Sequence, residues 1–583
     1  MEMDINHSKL FEEEKKRLAV AQGHDPADLL LKNGRLINVF TLEVKKANVA
    51  IAGERIAGVG SDYTEGREVI DLEEGYVAPG LIDAHLHIES TLLLPSELAR
   101  LIVPHGTTAV IHDPHEIANV MGAEGVALML AASEGLPCDF FATVPSCVPT
   151  SLMETAGGEI NAAQVTELMA HPRVVGLGEM MNYPGVLEGN EEVLQKIFAA
   201  RKAGKVVDGH APALGGRSLQ AYTGSGILTD HESITAEEAR EKLRNGMKII
   251  IRHGSATSSL ADLLPLINPA NCDMFMFGSD DREAGELLEK GHLDDLLKTA
   301  VEMGAEPLTL IKAASCNAAR HFRLYDRGAV AAGYRADLVI FGDLKEFPVM
   351  LVFKDGRPAA RAGRMEAAPA VYELPRSACS TVKINRLLRE EDFTLTCSSE
   401  KVPVIGIIPG QLITEKLFIN VPRQKDGTIS ARPGPDLNKI AVIERHGKGG
   451  GMTTALIKGL SLQKGAIASS VGHDSHNIIV AGASEKAMAA AVNELARLGG
   501  GFVVVGADNL AAASLPLPAA GLMTAEKAET VAQKMAAVLS AARRLGATLP
   551  QPFLTLSFMA LPVIPSLKIT DRGLVDVDNF SFL

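Results

Sequence analysis

The stretch Ala78-Pro79-Gly80-Leu81-Ile82-Asp83-Ala84-His85-Leu86-His87-Ile88-Glu89-Ser90 decides how the chain is read. Its apolar start, Leu81 and Ile82, runs into two histidines separated by one residue. On a β-strand, side chains alternate between faces, so His85 and His87 project the same way. Two neutral imidazoles side by side form half of a divalent-metal site. A solitary His-x-His also arises by chance, so the metal reading depends on ligands at the ends of other strands.

Outward from that strand, residues 81–325 alternate short apolar runs with helix-length segments. The further strand candidates are 109–112, 140–144, 174–178, 206–208, 227–229, 248–251 and 274–277, which with the opening strand make eight. Eight strands, each followed by a helix-length segment, fit an α/β fold of the (β/α)8 TIM-like barrel type, whose active sites lie at the C-terminal strand ends. A doubly wound open sheet is the alternative, but no Gly-x-Gly-x-x-Gly fingerprint follows an early strand. At the expected strand ends stand Glu179, His210, His231 and the pair Asp280-Asp281. Each is weak by itself, because loop histidines and aspartates usually serve as solvated or capping residues. Their common position carries the argument for a metal.

The flanks have another texture. Residues 28–80 and 326–380 are short strands broken by Gly and Asn, expected to pair as one small β-sandwich with the barrel inserted between its halves. Asn33-Gly34, between apolar runs, is a hairpin signal. Residues 1–27 read as an exposed helical lead-in. Residues 381–583 form a third region with strand-like runs at 405–408, 440–443, 478–481 and 501–505 and an Ala-rich helix at 486–498, suggesting an α/β or α+β domain.

Bulk properties narrow the function. The 583 residues are 46% hydrophobic and 22% charged, an ordinary globular balance. A formal net charge of -14 argues against a nucleic-acid partner, which needs a basic surface. Aromatics make up 4% and Trp is absent, so base-stacking platforms are not expected either. Six scattered cysteines without a Cys-x-x-Cys pair read as reduced thiols. The charged start lacks the core of a signal peptide, and no apolar stretch is long enough to span a bilayer. A cytoplasmic protein without a membrane partner is expected.

Four histidines and two or three carboxylates exceed the needs of one ion, which takes about three protein ligands when catalytic. Two ions sharing a carboxylate and a hydroxide use the set more fully. Mixed His/carboxylate ligation suits Zn, Mn or Fe alike. Asp280, near the last strand's end, can hold the attacking water and take its proton. In the C-terminal region, the glycine run of His446-Gly447-Lys448-Gly449-Gly450-Gly451-Met452 lacks phosphate-loop spacing and reads as a tight turn. His473 and His476 flank Asp474; metal binding is one reading, a structural hydrogen-bond cluster the preferred one.

His85, His87, Glu179, His210, His231 and Asp280 on their respective strands resemble the metal ligands of the amidohydrolase superfamily. Many relatives carry a carboxylated lysine on the fourth strand, where this chain has Glu179. Residues 79–90, 112–119, 178–182 and 208–212, with 471–477 and 561–565, resemble bacterial adenine deaminases along nearly the whole chain. The resemblance implies hydrolysis of adenine and water to hypoxanthine and ammonia by a hydroxide attacking C6, a pair of Mn2+ or Fe2+ ions with Zn2+ as an option, and a homo-oligomer. Glu89 or Glu116 would shuttle protons, with support of a histidine as the other role for Glu89. Asp113 and His115, past the second strand, and Arg252 and His253, ending the seventh, are substrate-contact candidates; Asp113 also fits a turn opener, and the Arg252-His253 pair carboxylate partners. Deacetylation of an amino sugar or similar amide is the enzymatic alternative. An inactive barrel serving as a binding protein is the alternative of another class.

Overall fold

Eight short strands, Leu81–Leu86, Thr107–His112, Asp139–Val144, Val174–Met180, Val206–Gly209, Thr229–Asp230, Lys248–Arg252 and Phe275–Gly278, appear where the apolar runs predict them. In the computed structural model, which describes residues 2–255 and 257–583 with the side chains of the first helix from residue 10, these strands are parallel. Almost every residue in them is buried, as expected of strands covered on both faces. The first five pair in order, and the last three pair among themselves.

The two pieces curl toward one another as in a TIM-like barrel. At one seam Asp280 N–H donates to His85 O at 2.9 Å and His87 N–H donates to Asp280 O at 3.3 Å. At the other, Gly209 N–H donates to Thr229 Oγ1 at 3.1 Å. Gly80 lies so close to the second strand that a Cβ there would sit 2.2 Å from Thr108 Oγ1. A side chain in that place would push the first two strands apart.

The flanks join as one nine-stranded sheet. Its middle is Tyr76–Pro79, parallel to Ala27–Asn38 on one side and antiparallel to Leu338–Phe341 on the other. Chain entering and leaving the barrel is thus paired immediately before the strand that carries His85. Asn33-Gly34 does not turn a hairpin. Ala27–Asn38 is one continuous strand with a register shift between Leu31 and Gly34, and Asn33 at φ 58° takes up the irregularity. An Asn-Gly pair supplies the same left-handed backbone to a bulge as to a turn, and the partner strand decides which forms. The lead-in is a helix, Glu2–Ala21; residue 1 of that expectation lies outside the described residues.

Beyond residue 380 an eight-stranded, largely antiparallel sheet carries the helix Glu485–Leu498. The glycine run closes the turn between Leu437–Ile443 and Met452–Lys458, where Lys448 N–H and Gly450 N–H donate to Glu444 Oε2 at 3.0 and 2.8 Å. The amides that would cradle a phosphate are thereby used internally. This region packs over the segments that follow the barrel strands: Thr524 N–H donates to Leu92 O at 2.9 Å, Thr150 Oγ1 to Asp474 Oδ2 at 2.6 Å, and Thr155 N–H to Asp571 Oδ1 at 2.9 Å. One apolar cluster runs through both bodies, including Leu93 and Leu98 from the barrel and Met523 and Phe553 from the C-terminal region. No cysteine is disulfide-bonded among the described residues, and no described helix is long and apolar enough to cross a membrane.

Candidate active site

Glu179 stands at the centre of the strand ends. It lies inside the fourth strand rather than after it, because the strand runs to Met180. Its backbone N–H donates to Asp113 Oδ2 at 3.0 Å, which fixes the carboxylate's stem. Oε1 faces His87 Nε2 at 3.4 Å and His115 Nδ1 at 3.3 Å; Oε2 faces His210 Nδ1 at 2.7 Å and His231 Nε2 at 3.1 Å. The carboxylate therefore spans two sets of imidazoles.

Asp280 closes the group from the seam. Its φ of 53° is a left-handed conformation uncommon for a non-glycine residue, held here by the backbone hydrogen bonds to the first strand. Oδ1 lies 3.2 Å from His87 Nε2 and 3.7 Å from His85 Nε2, while Oδ2 accepts from Arg252 Nη1 at 2.8 Å. Arg252 also contacts Glu232 Oε1. Arg252 thus reaches the group as a partner of carboxylates.

Donor atoms converge closely enough to share an ion in several combinations: His85, His87 and Asp280; His85, Glu179 and His231; His87, His115 and Glu179; His210, His231 and Glu232. His85 Nε2 and His115 Nδ1 are buried yet have no hydrogen-bond partner. Burial, with His231 and His87 nearby, holds the His85 imidazole well below its ordinary pKa and hence neutral with a free lone pair. His87 and His115 show the opposite balance. Burial works against their charge, but the Asp280 hydrogen bond and Glu179 hold His87 well above its ordinary value, and Glu116 brings His115 up to about 10. The protons on these rings answer a surplus of carboxylate charge that divalent cations would neutralise instead. The residues present fit divalent metal ions.

His115, anticipated as a substrate contact, lies inside the ligand group. Glu232 went unnoticed in the sequence although it directly follows His231; its Oε1 is 3.5 Å from His231 Nε2 and 3.8 Å from His210 Nδ1. Asp113 acts on its neighbours through Glu179 N–H and through its own carbonyl, which lies 3.0 Å from His87 Nδ1. His253 is not brought to the group: it turns to Ser258 Oγ at 3.1 Å and Asp295 at 3.7 Å.

Glu89 does not continue the face of His85 and His87, because residues 88–91 leave the strand as a single 3-10 turn. Its Oε1 accepts from Ile117 N–H at 3.1 Å, and Oε2 is buried without a partner. Among the described residues no histidine hydrogen-bonds to Glu89, although the charge of His87 acts on it. Burial pushes its carboxyl up to about 7, with the charge of Glu116 contributing. Glu116 opposes that tendency: burial would raise it, but His473, His476 and His115 hold it well below the usual carboxylate range. Both carboxyls line a cavity of about 230 Å³ between barrel and C-terminal region, together with Asp281, His473 and His476. The far walls are apolar, built from Phe502, Phe553 and the helix Ala528–Arg544. His473 Nδ1 lies 2.8 Å from Glu116 Oε1, and His476 Nε2 abuts Glu116 Oε2.

The Amidohydrolase family matches residues 76–359, and the Adenine deaminase C-terminal domain matches residues 411–581. An adenine deaminase of Desulfatibacillum aliphaticivorans is 45% identical over 97% of this chain and 98% of its own length. The chain belongs to the adenine deaminase family. Another adenine deaminase, from Dehalococcoides mccartyi, is 46% identical over the same shares of the two chains. Among solved structures, a β-aspartyl dipeptidase from Fervidobacterium islandicum overlaps 58% of this chain and 98% of its own at 17% identity, with a TM-score of 0.46. The family's two matched regions are the two bodies between which the cavity lies.

Proposed function

We propose that the chain hydrolyses adenine to hypoxanthine and ammonia. The observation that carries this reading is the Glu179 carboxylate, which spans two sets of histidines beside a cavity into which Glu89 and Glu116 both face. The names of its 45–46% identical relatives supply the substrate. His85, His87 and Asp280 would hold one ion and His210 and His231 a second, with Glu179 shared and His115 and Glu232 at the margins. Mn2+ or Fe2+ suit this donor set, and Zn2+ is compatible with it. When bound, such ions supply Lewis-acid chemistry and make water a nucleophile near neutral pH.

The protein's own groups then account for the protons. One water adds its oxygen to C6 of the purine, the C6–N bond breaks, and ammonia leaves. Asp280, oriented by Arg252, takes the first proton from the attacking water. Glu89, neutral up to about pH 7, can give its proton to a ring nitrogen and be restored by the one Asp280 took, while Glu116, ionised, can accept the second proton of the attacking water and pass it to the departing amine. The C-terminal region, packed over the mouth, restricts bulk water around these transfers. The wider architecture belongs to the same reading: a (β/α)8 barrel at 81–325, a composite β unit from 28–80 and 326–380 whose strands join in one sheet rather than the expected sandwich, and a separate domain from 381. The unpaired thiols support a cytoplasmic setting.

The test is turnover of adenine by purified protein loaded with Mn2+, followed as ammonia release and as the absorbance change from adenine to hypoxanthine. Asp280→Asn is expected to abolish turnover in folded protein. Absence of adenine turnover in metal-replete wild type would refute the reading.

A further inference from the structure

Glu116 sits in the first turn of the short helix His115–Met121, yet what fixes its carboxylate comes from a distant part of the chain. The segment between strands Ala466–Ser469 and Ile478–Gly482 dips from the C-terminal sheet to the barrel mouth and presents two rings to it. His473 meets Oε1 and His476 meets Oε2, so each carboxylate oxygen has its own imidazole. We infer that His473 and His476 are positioning residues that aim Glu116 into the cavity, so that the C-terminal domain completes the proton machinery of the barrel. The inference rests on the role given to Glu116 above.

The rings are themselves held. Gly472 N–H donates to His476 Nδ1 at 3.2 Å, so this nitrogen is an acceptor and the hydrogen of the neutral ring sits on Nε2. That is the atom facing Glu116. A ring in this tautomer carries a hydrogen, not a lone pair for a metal, on the nitrogen that abuts the carboxylate, although Glu116, His115 and neighbouring Asp474 lie close enough to share an ion. His473 stacks on Phe558 with ring centroids 4.7 Å apart at 19°, and its backbone N–H donates to Ser557 Oγ at 3.2 Å. Asp474, between the two histidines, is tied to Thr150 of the barrel. The rings therefore arrive in a fixed pose, and the pose of Glu116 follows from theirs. His115 Nε2 also lies 3.4 Å from Glu116 Oε1, farther than His473 Nδ1 at 2.8 Å.

The experiment uses the full-length, Mn-loaded protein and four variants: Glu116→Gln, His476→Leu, His476→Gln and His473→Phe. His476→Leu fills the space without a donor, His476→Gln restores an N–H, and His473→Phe keeps the stack on Phe558 while removing Nδ1. We expect His476→Leu and His473→Phe each to lower kcat by about 10- to 100-fold, the usual effect of losing a hydrogen-bond support behind a catalytic group. KM for adenine, metal content and Tm should stay near wild type, and His476→Gln should recover most of the loss. If His476→Leu fails to fold, His473→Phe carries the test. Wild-type kcat in both ring variants, alongside an inactive Glu116→Gln, overturns the positioning role alone. Loss of metal in His476→Leu also overturns it by making the ring a ligand. Full activity of Glu116→Gln instead removes the role of Glu116 on which the inference stands.

Discussion

Lys242→Met tests how the second half of the ligand group is held in place. Lys242, on the helix Ala236–Arg244, is fully buried and donates to Asp230 Oδ2 at 2.8 Å, Ala211 O at 2.7 Å, Ser233 Oγ at 3.1 Å and Glu238 Oε1 at 2.8 Å. Ala211 and Asp230 are the chain neighbours of His210 and His231, and Ala211 N–H donates to Asp230 Oδ1 at 2.9 Å. One ammonium thus ties together the backbone behind two candidate ligands. Removing one partner of a buried ion pair costs about 3–5 kcal/mol because the other charge stays buried. Asp230 keeps the Ser233 N–H and hydroxyl at 2.9 and 2.7 Å, which places the expected loss near the lower end. At roughly 2–4 °C per kcal/mol for a body the size of the barrel, the barrel transition should fall by about 6–12 °C. The loosened His210 and His231 should weaken metal binding by about 10- to 100-fold. Differential scanning calorimetry of metal-free protein reads the first effect, and titration with Mn2+ under competition from a chelator reads the second. Adding Asp230→Asn should recover part of the stability, since no charge is then stranded. A single variant within about 1 kcal/mol of wild type and with unchanged metal affinity would refute the reasoning, because a buried ammonium surrounded by four acceptors cannot be silent if it supports the site.

Three further outcomes follow from the same geometry. In Gly178→Ala the new Cβ would lie 2.0 Å from Asp113 Oδ2, the acceptor of Glu179 N–H, so we expect about 1–3 kcal/mol of destabilisation and reduced metal occupancy, measured by thermal melts and elemental analysis. Chelation of the holoenzyme should lower Tm and turnover together, and readdition of Mn2+ should restore both, since an ion at 1,000 times its Kd stabilises the folded state by about 4 kcal/mol. Lys568 donates to Leu412 O and Phe558 O at 2.8 and 2.9 Å, and burial lowers its pKa from 10.5 to about 7. Between these values the unfolded chain binds more protons than the folded one, so stability rises with pH from about 7 toward 10.5, by at most about 1.4 kcal/mol per pH unit. Lys568→Met should flatten that rise in a series of melts between pH 7 and 9; an unchanged slope would remove Lys568 as its source.

The periodic parts of the fold were legible in the sequence, and the parts set by tertiary partners were not. Buried parallel strands are short continuous apolar runs, so each barrel strand could be placed within a few residues, and the ligand candidates at their ends followed. Local signals were ambiguous where one backbone conformation serves two purposes, as Asn33-Gly34 shows by forming a bulge. Glu89 illustrates the limit of extrapolating a period, since the chain turns immediately after His87. His115 lies in a loop whose direction no alternation pattern fixes, and only the folded loop brings it to Glu179. Glu232 could have been found by looking one residue further past His231. His473 and His476 stood out in the sequence as a cluster around Asp474, but their partner Glu116 is more than 350 residues away in the chain, and His-x-x-His spacing does not name what it faces.

The pairing of Tyr76–Pro79 with Leu338–Phe341 has a consequence for biosynthesis. A ribosome must deliver residue 341 before the anchor of the His85 strand gains its antiparallel neighbour, and residue 476 before Glu116 is covered. Folding during translation proceeds from the N-terminus at the pace of elongation. A nascent barrel therefore has an unpaired edge at its foot until residue 341 is delivered and an uncovered Glu116 at its mouth until residue 476 follows.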